Sequence, residues 1–105
     1  HFDAVTGLTG SGPAYVFAFA ESLIAAGGAA GLPDEVLEPM VTQLLTGSAA
    51  LLTAEGNPGA LREAVTSPGG TTAAGLAVFN ELDLQSLVRS AVLAAKSRSK
   101  ELGAS

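Results

Sequence analysis

The chain has 105 residues, enough for one domain with a core of its own, and contains no cysteine and one histidine, His1 at its start. A disulfide framework and a thiolate metal site are thereby excluded, and with the one histidine at a terminus no Ser/His/Asp set is found, which disfavours zinc chemistry and nucleophilic hydrolysis. The net charge of −5 speaks against nucleic acid, and 14% charged residues, against about 25% in soluble domains, cannot dress the surface of a monomer that is 48% apolar.

The charges are also segregated. Asp3, Glu21, Asp34, Glu35, Glu38 and Glu55 precede Arg62 without a single base among them, and all five bases (Arg62, Arg89, Lys96, Arg98, Lys100) lie from there on. No apolar run approaches the ~18 residues of a membrane span, and the first residues do not read as a secretory leader. The expectation is a soluble, cytoplasmic protein with no membrane partner.

In chain order, Phe2 to Gly12 is rich in turn formers and leads to a helix start, where Pro13 suits a first-turn position because its missing N–H costs nothing. A helix over Ala14 to Ala26 follows, carrying Tyr15, Phe17, Phe19, Leu23 and Ile24. Gly27 and Gly28 are expected to loosen its end and Gly31 to close it. Leu32-Pro33-Asp34-Glu35 is a second start, with two acids in the first turn. From Val36 to Ala54, apolar residues occupy most of the helical circumference, the mark of a helix buried on several sides. Pro39 removes one helical hydrogen bond there and predicts a kink or a later start.

Asn57 should cap a short helix from Pro58 to about Val65. After the Ser-Pro-Gly-Gly loop a helix is expected from about Thr72 to Asn80, and Asp83 should cap a last one from Leu84 to Leu102. Its stripe is Leu84, Leu87, Val88, Ala91, Val92 and Ala95, with Arg98 and Lys100 near the negative end of the dipole. No segment alternates as a strand would, so the chain reads as all-α, a bundle of about five helices. The Ala and Gly content of the first two helices permits close helix contacts, within one molecule or between two.

Two glycine-rich motifs stand out. Gly7-Leu8-Thr9-Gly10-Ser11-Gly12 has the spacing G-x-x-G-x-G rather than G-x-G-x-x-G, and no β-α-β unit surrounds it, so it is no self-sufficient dinucleotide site. A tight turn that lets Pro13 start a helix against a neighbour is the favoured reading, and a helix N-terminus facing a ligand held by another domain the alternative. Thr66-Ser67-Pro68-Gly69-Gly70-Thr71-Thr72 is more telling. Amides ahead of a helix can converge on an anion, the dipole adds to the pull, and a small carboxylate or phosphate is the natural guest. An ordinary loop with a Thr cap accounts for the same composition.

Taken together, Thr9-Gly10-Ser11-Gly12-Pro13-Ala14-Tyr15, Ala29-Ala30-Gly31-Leu32-Pro33 and Val65-Thr66-Ser67-Pro68-Gly69-Gly70-Thr71-Thr72 closely resemble pyrroline-5-carboxylate reductase. The ending Ala94-Ala95-Lys96-Ser97-Arg98-Ser99-Lys100-Glu101-Leu102 fits the same family. The resemblance covers about Asp3 to Gly103 and only that family's C-terminal helical domain, so the chain is expected to lack the N-terminal Rossmann domain that holds NADPH or NADH. Pro39 departs from the family pattern.

The resemblance implies an enzyme of proline biosynthesis, reducing 1-pyrroline-5-carboxylate to L-proline by hydride transfer to an already electrophilic imine. The isolated segment should be inactive and bind no cofactor itself. Carried over to this sequence, Ser67 and the N–H groups of Gly69, Gly70 and Thr71 would hold the substrate carboxylate. The Thr72 hydroxyl, donor and acceptor at once, would serve the ring nitrogen as the catalytic contact. Glu55 would help hold a cationic imine unless it is simply a solvated helix-end carboxylate, and Val65 and Thr66 would border the nicotinamide. The family implies an intertwined homodimer, with an assembly of dimers as its extension, and the low charge points independently to a covered surface. Two other readings remain: a structural oligomerisation module, and the helical domain of another NAD(P)-dependent dehydrogenase, for which no suitably placed lysine is found.

Overall fold

A computed structural model describes residues 1–104, which are helical almost throughout and contain no strand. In order they form α1 (Phe2–Val5), a π-helical turn (Thr6–Gly10), α2 (Gly12–Ala29), α3 (Asp34–Glu55), α4 (Pro58–Ala64), α5 (Thr71–Glu81) and α6 (Leu84–Ala104). The all-α expectation holds, with five helices of seven residues or more among the described residues. The chain divides into two units: residues 1–16 together with the chain from Ala74 on, and Phe17–Ala73.

In the first unit α6 packs against α1 and the π turn. The sequence implies a tight turn over Gly7–Gly12; the backbone instead stays helical and widens by one residue, the Ser11 N–H donating to the Thr6 carbonyl at 2.8 Å. Steric demand explains the glycine. Gly7 is buried, and a Cβ there would lie 2.8 Å from the Val92 carbonyl oxygen and 3.0 Å from the Lys96 nitrogen, so the two backbones can touch only because it has none. The Tyr15 hydroxyl donates to the Gly7 carbonyl at 2.8 Å. Ser99 donates to Asp3 Oδ1, also at 2.8 Å, tying α6 to α1.

Asp83 caps α6 as its sequence position implies. Its carboxylate accepts from the Ser86 N–H at 3.2 Å and the Ser86 hydroxyl at 2.7 Å. These bonds, the hydroxyl's first, hold its carboxyl below the usual aspartate range. At the other end of α6 Arg98 pairs with Glu101 at 2.9 Å, an exposed bridge of little energetic weight.

The second unit contains most of α2 and all of α3. Gly31, at φ 102°, closes α2 as expected: the Leu32 N–H reaches back to the Gly27 carbonyl and the Gly31 N–H to that of Gly28, the Schellman pattern. Gly27 and Gly28 do not loosen the helix end; both lie inside α2 and form the floor under Leu37. A Cβ at Gly27 would come within 2.6 Å of Leu37 Cδ2. Leu37 and Val41 on α3 are the buried apolar side chains of the described chain.

α3 starts at Asp34, with Pro33 extended ahead of it, and runs through Pro39 to Glu55, so the later start that Pro39 allows is not taken. Pro39 sits only in the second turn and on an exposed face, where the carbonyl it leaves unpaired can be hydrated. The expectation that α3 is buried on several sides is not met within one chain. Past Val41, Leu44, Leu51 and Leu52 are roughly half exposed. The molecule exposes 7955 Å², where a folded monomer of its mass would expose about 5,400 Å², and the excess is rich in bare apolar side chains.

Candidate functional site

The site is built on the connection between α3 and α5. Gly56, at φ 77°, ends α3 with its N–H on the Leu52 carbonyl, and Asn57 then opens α4, its side chain accepting from the Ala60 N–H at 3.0 Å. α4 ends at Ala64, one residue before the expected Val65. Thr66 is held to the end of α4 twice, its N–H on the Glu63 carbonyl and its hydroxyl on the Arg62 carbonyl. The four residues Ser67-Pro68-Gly69-Gly70 then form a turn in which the Gly70 N–H donates to the Ser67 carbonyl at 3.1 Å. Proline second and a glycine at φ 70° third are the marks of a type II turn. α5 begins at the next residue, Thr71, one earlier than the pattern implies.

This geometry changes the donor set. The Gly70 N–H, expected to face an anion, is spent inside the turn. The N–H groups of Gly69, Thr71 and Thr72 and the hydroxyls of Ser67, Thr71 and Thr72 have no hydrogen-bond partner among the described residues. All four residues are exposed. The first amides of a helix have no intrahelical acceptor, and the positive end of the dipole lies there. No base is among Val65–Thr72, so whatever charge these groups meet they meet with dipoles and hydroxyls.

The remaining expected residues fall around the turn. Val65 is 67% exposed beside it and offers an apolar surface. Thr66 is half-buried, its hydroxyl occupied by Arg62. Glu55 is the exposed last residue of α3, and no hydrogen bond or ion pair joins it to the loop. The other glycine motif serves packing: Gly7 is buried against the α6 backbone, and Thr6–Gly10 is a π-helical turn. Sequence inspection misses the Tyr15 hydroxyl on Gly7 and the pairing of Ser67 with Gly70; the only available signal for the second is the Ser-Pro-Gly-Gly turn signature itself. Among the described residues no three of His, Cys, Asp and Glu come together as a metal site, and no helix is long and apolar enough to cross a membrane.

An all-helical chain with free amides ahead of α5, and more apolar surface than one copy covers, has the features of a helical association domain. Comparison with known proteins makes this specific. The family model described as pyrroline-5-carboxylate reductase dimerisation matches residues 1–102. Pyrroline-5-carboxylate reductase of Arabidopsis thaliana is 47% identical over 105 residues, covering 99% of this chain and 38% of the relative. That of Synechocystis is 46% identical over 102 residues, 96% of this chain and 38% of the relative. Among solved structures, the Plasmodium falciparum pyrroline carboxylate reductase with NADP bound superposes at a TM-score of 0.91 with 39% identity, covering 97% of this chain and 42% of that one. The Streptococcus pyogenes 1-pyrroline-5-carboxylate reductase does so at 0.90 with 39% identity, over 95% and 39%. The chain belongs to the pyrroline-5-carboxylate reductase dimerisation family, and it spans about two fifths of the length of these relatives.

Proposed function

We propose that residues 1–105 are the C-terminal substrate-binding and dimerisation domain of a cytoplasmic reductase that converts 1-pyrroline-5-carboxylate to L-proline with NAD(P)H. The observation that carries this reading is the set of unpartnered donors at Ser67, Gly69, Thr71 and Thr72, in a chain whose relatives bear that enzyme's name. The Ser67 hydroxyl and the Gly69 and Thr71 amides hold the carboxylate of the substrate, which fixes the ring against rotation and supplies most of the orientation the reaction needs. The Thr72 hydroxyl takes the ring nitrogen. It accepts from the protonated imine and donates to the product amine, so one side chain serves both states. Glu55 adds negative charge that favours the cationic imine.

Toward a dinucleotide the chain offers exposed Val65 as an apolar wall for the nicotinamide ring, with Thr66 beside it in sequence. When bound, the nicotinamide supplies the hydride. A partner domain that holds the dinucleotide's phosphates belongs to this reading, and a similar solved structure has NADP bound.

The second copy belongs to it as well. The excess of exposed area and the groove of about 480 Å³ lined by Leu23, Leu32, Leu37, Met40, Val41 and Leu44 support a homodimer that buries α3, with association of dimers as a further step. Thr72→Ala in the full-length enzyme tests the chemistry. The expected result is a fall in turnover of about a hundredfold, the lower range for a group serving a proton at the reacting atom, with binding of proline largely kept. Unchanged turnover would remove the hydroxyl from the reaction.

A further inference from the structure

The two adjacent glycines of the turn are there for different reasons. Gly69 has φ 70°, a conformation that strains any side chain. Gly70 is not among the residues of positive φ, so its φ does not call for glycine. Nor is it needed as a bare amide: its N–H is given to the Ser67 carbonyl, and alanine would keep that bond. What excludes a side chain is Ser67. A Cβ on Gly70 would stand 2.7 Å from Ser67 Oγ, 3.3 Å from the Ser67 carbonyl oxygen and 3.9 Å from Ser67 Cβ. The hydroxyl therefore occupies the space where a side chain at position 70 would begin. It lies against the residue that immediately precedes α5, next to the peptide carrying the free Thr71 amide.

We infer that Gly70 is a positioning residue: by having no side chain it lets the Ser67 hydroxyl fold back over the turn and join the free amides of α5 as one donor set. The inference rests on the reading of this turn as the carboxylate site and assigns within it a role that neither backbone conformation nor amide donation explains. A methyl group at position 70 takes the hydroxyl's place. The serine turns about its Cα–Cβ bond, which is a soft motion for an exposed side chain, and the fold survives while the hydroxyl leaves the set. Gly69, by contrast, holds the backbone of the turn itself.

Three variants of the full-length enzyme test this: Gly70→Ala, Ser67→Ala and the two combined. Each is measured for KM and kcat with 1-pyrroline-5-carboxylate and for its thermal midpoint, and the first also for the Ser67 rotamer in a crystal structure. Ser67→Ala should raise KM about tenfold, as expected for one hydrogen bond to a charged group, with kcat changed by less than about threefold. Gly70→Ala should do the same, with the Ser67 hydroxyl turned out of its place. In the combined variant KM should be no higher than in Ser67→Ala alone, because the methyl then displaces nothing that matters.

Multiplied effects in the combined variant, a wild-type KM in Gly70→Ala, or a Ser67 rotamer unmoved by the methyl would each overturn the positioning role. If Gly70→Ala fails to fold, the combined variant decides: recovery of folding supports the clash with the hydroxyl, and continued failure assigns the clash to the carbonyl and overturns it. A Ser67→Ala enzyme with unchanged KM brings down the carboxylate reading itself. That outcome is recognised from the single serine variant, before Gly70 enters.

Discussion

The seam between the π turn and α6 and the second half of α3 are both built from small and apolar residues, yet they end in opposite states. At the seam the chain completes itself. Gly7 admits the α6 backbone to van der Waals distance, and the polar groups around it find partners, Tyr15 on the Gly7 carbonyl and Ser99 on Asp3. Along α3 a single stripe with spacings of four, three and seven, all on one helical face, runs through Leu37, Val41, Leu44 and Leu51. Its first two residues are buried within the chain, while Leu44 and Leu51 on the same stripe are 53% and 54% exposed. A stripe that keeps its period after its cover has ended is written for another surface, in a chain whose family is described by its dimerisation.

The heaviest loss is expected along α3. Leu44→Asp combined with Leu51→Asp removes four leucines from a symmetric dimer, at about 1.5–3 kcal/mol for each side chain withdrawn from burial. Because each leucine is already about half covered within one chain, dimerisation withdraws roughly half of that, on the order of 3–6 kcal/mol for the four before any charge repulsion, enough to raise the dissociation constant by at least about a hundredfold. Sedimentation should show the wild-type protein as a dimer at micromolar concentration and the variant as dissociated or unfolded. A wild-type monomer, or a variant that stays dimeric, would show that the bare half of the stripe is not the contact.

A smaller effect tests the other region. Gly7→Ala places a methyl group against the Val92 carbonyl and the Lys96 nitrogen, both backbone atoms, so no side chain can move aside. Overpacking of this kind costs about 1–3 kcal/mol, seen as a thermal midpoint lower by several degrees with the oligomeric state unchanged. The contrasting change is Gly27→Ala, where the obstacle is the tip of Leu37, a side chain that can yield. It should cost less than Gly7→Ala, and the reverse order would mean that the α2–α3 contact is the stiffer of the two.

The helices were legible where capping chemistry marks them. Asn57, Asp83 and Gly31 each act at the end their residue type implies, and the boundaries of α4, α5 and α6 fall within one or two residues of the pattern. The first turn was not legible, because glycines that lower the cost of a turn also permit close packing, and only the approach of α6 decides between them. Gly27 and Gly28 misled for the same reason. In the candidate site the residue types and their order could be read directly, but the direction of each amide could not. Whether Gly70 points its N–H outward or into the turn depends on a backbone hydrogen bond that composition does not encode. The exposure of α3 lay outside any single-chain reading, since periodicity tells which face seeks cover and not which molecule provides it.

At the seam the mildest loss comes from removing a single hydroxyl. Tyr15→Phe keeps the ring and removes only the hydroxyl that donates to the Gly7 carbonyl at 2.8 Å, a part-buried bond. About 1 kcal/mol of stability should be lost, the typical net worth of such a bond, with no change in dimerisation. Ser99→Ala removes the separate bond to Asp3, with no atom shared between the two pairs. Sites without shared partners add to within about 0.3–0.5 kcal/mol, so the double variant should lose the sum of the two, measured by thermal or denaturant unfolding. A double variant losing clearly less than that sum would mean that the N-terminal segment already frays from α6 when either bond is cut. The seam would then be a cooperative clasp, held by its polar ends as much as by the fit of Gly7 to the α6 backbone.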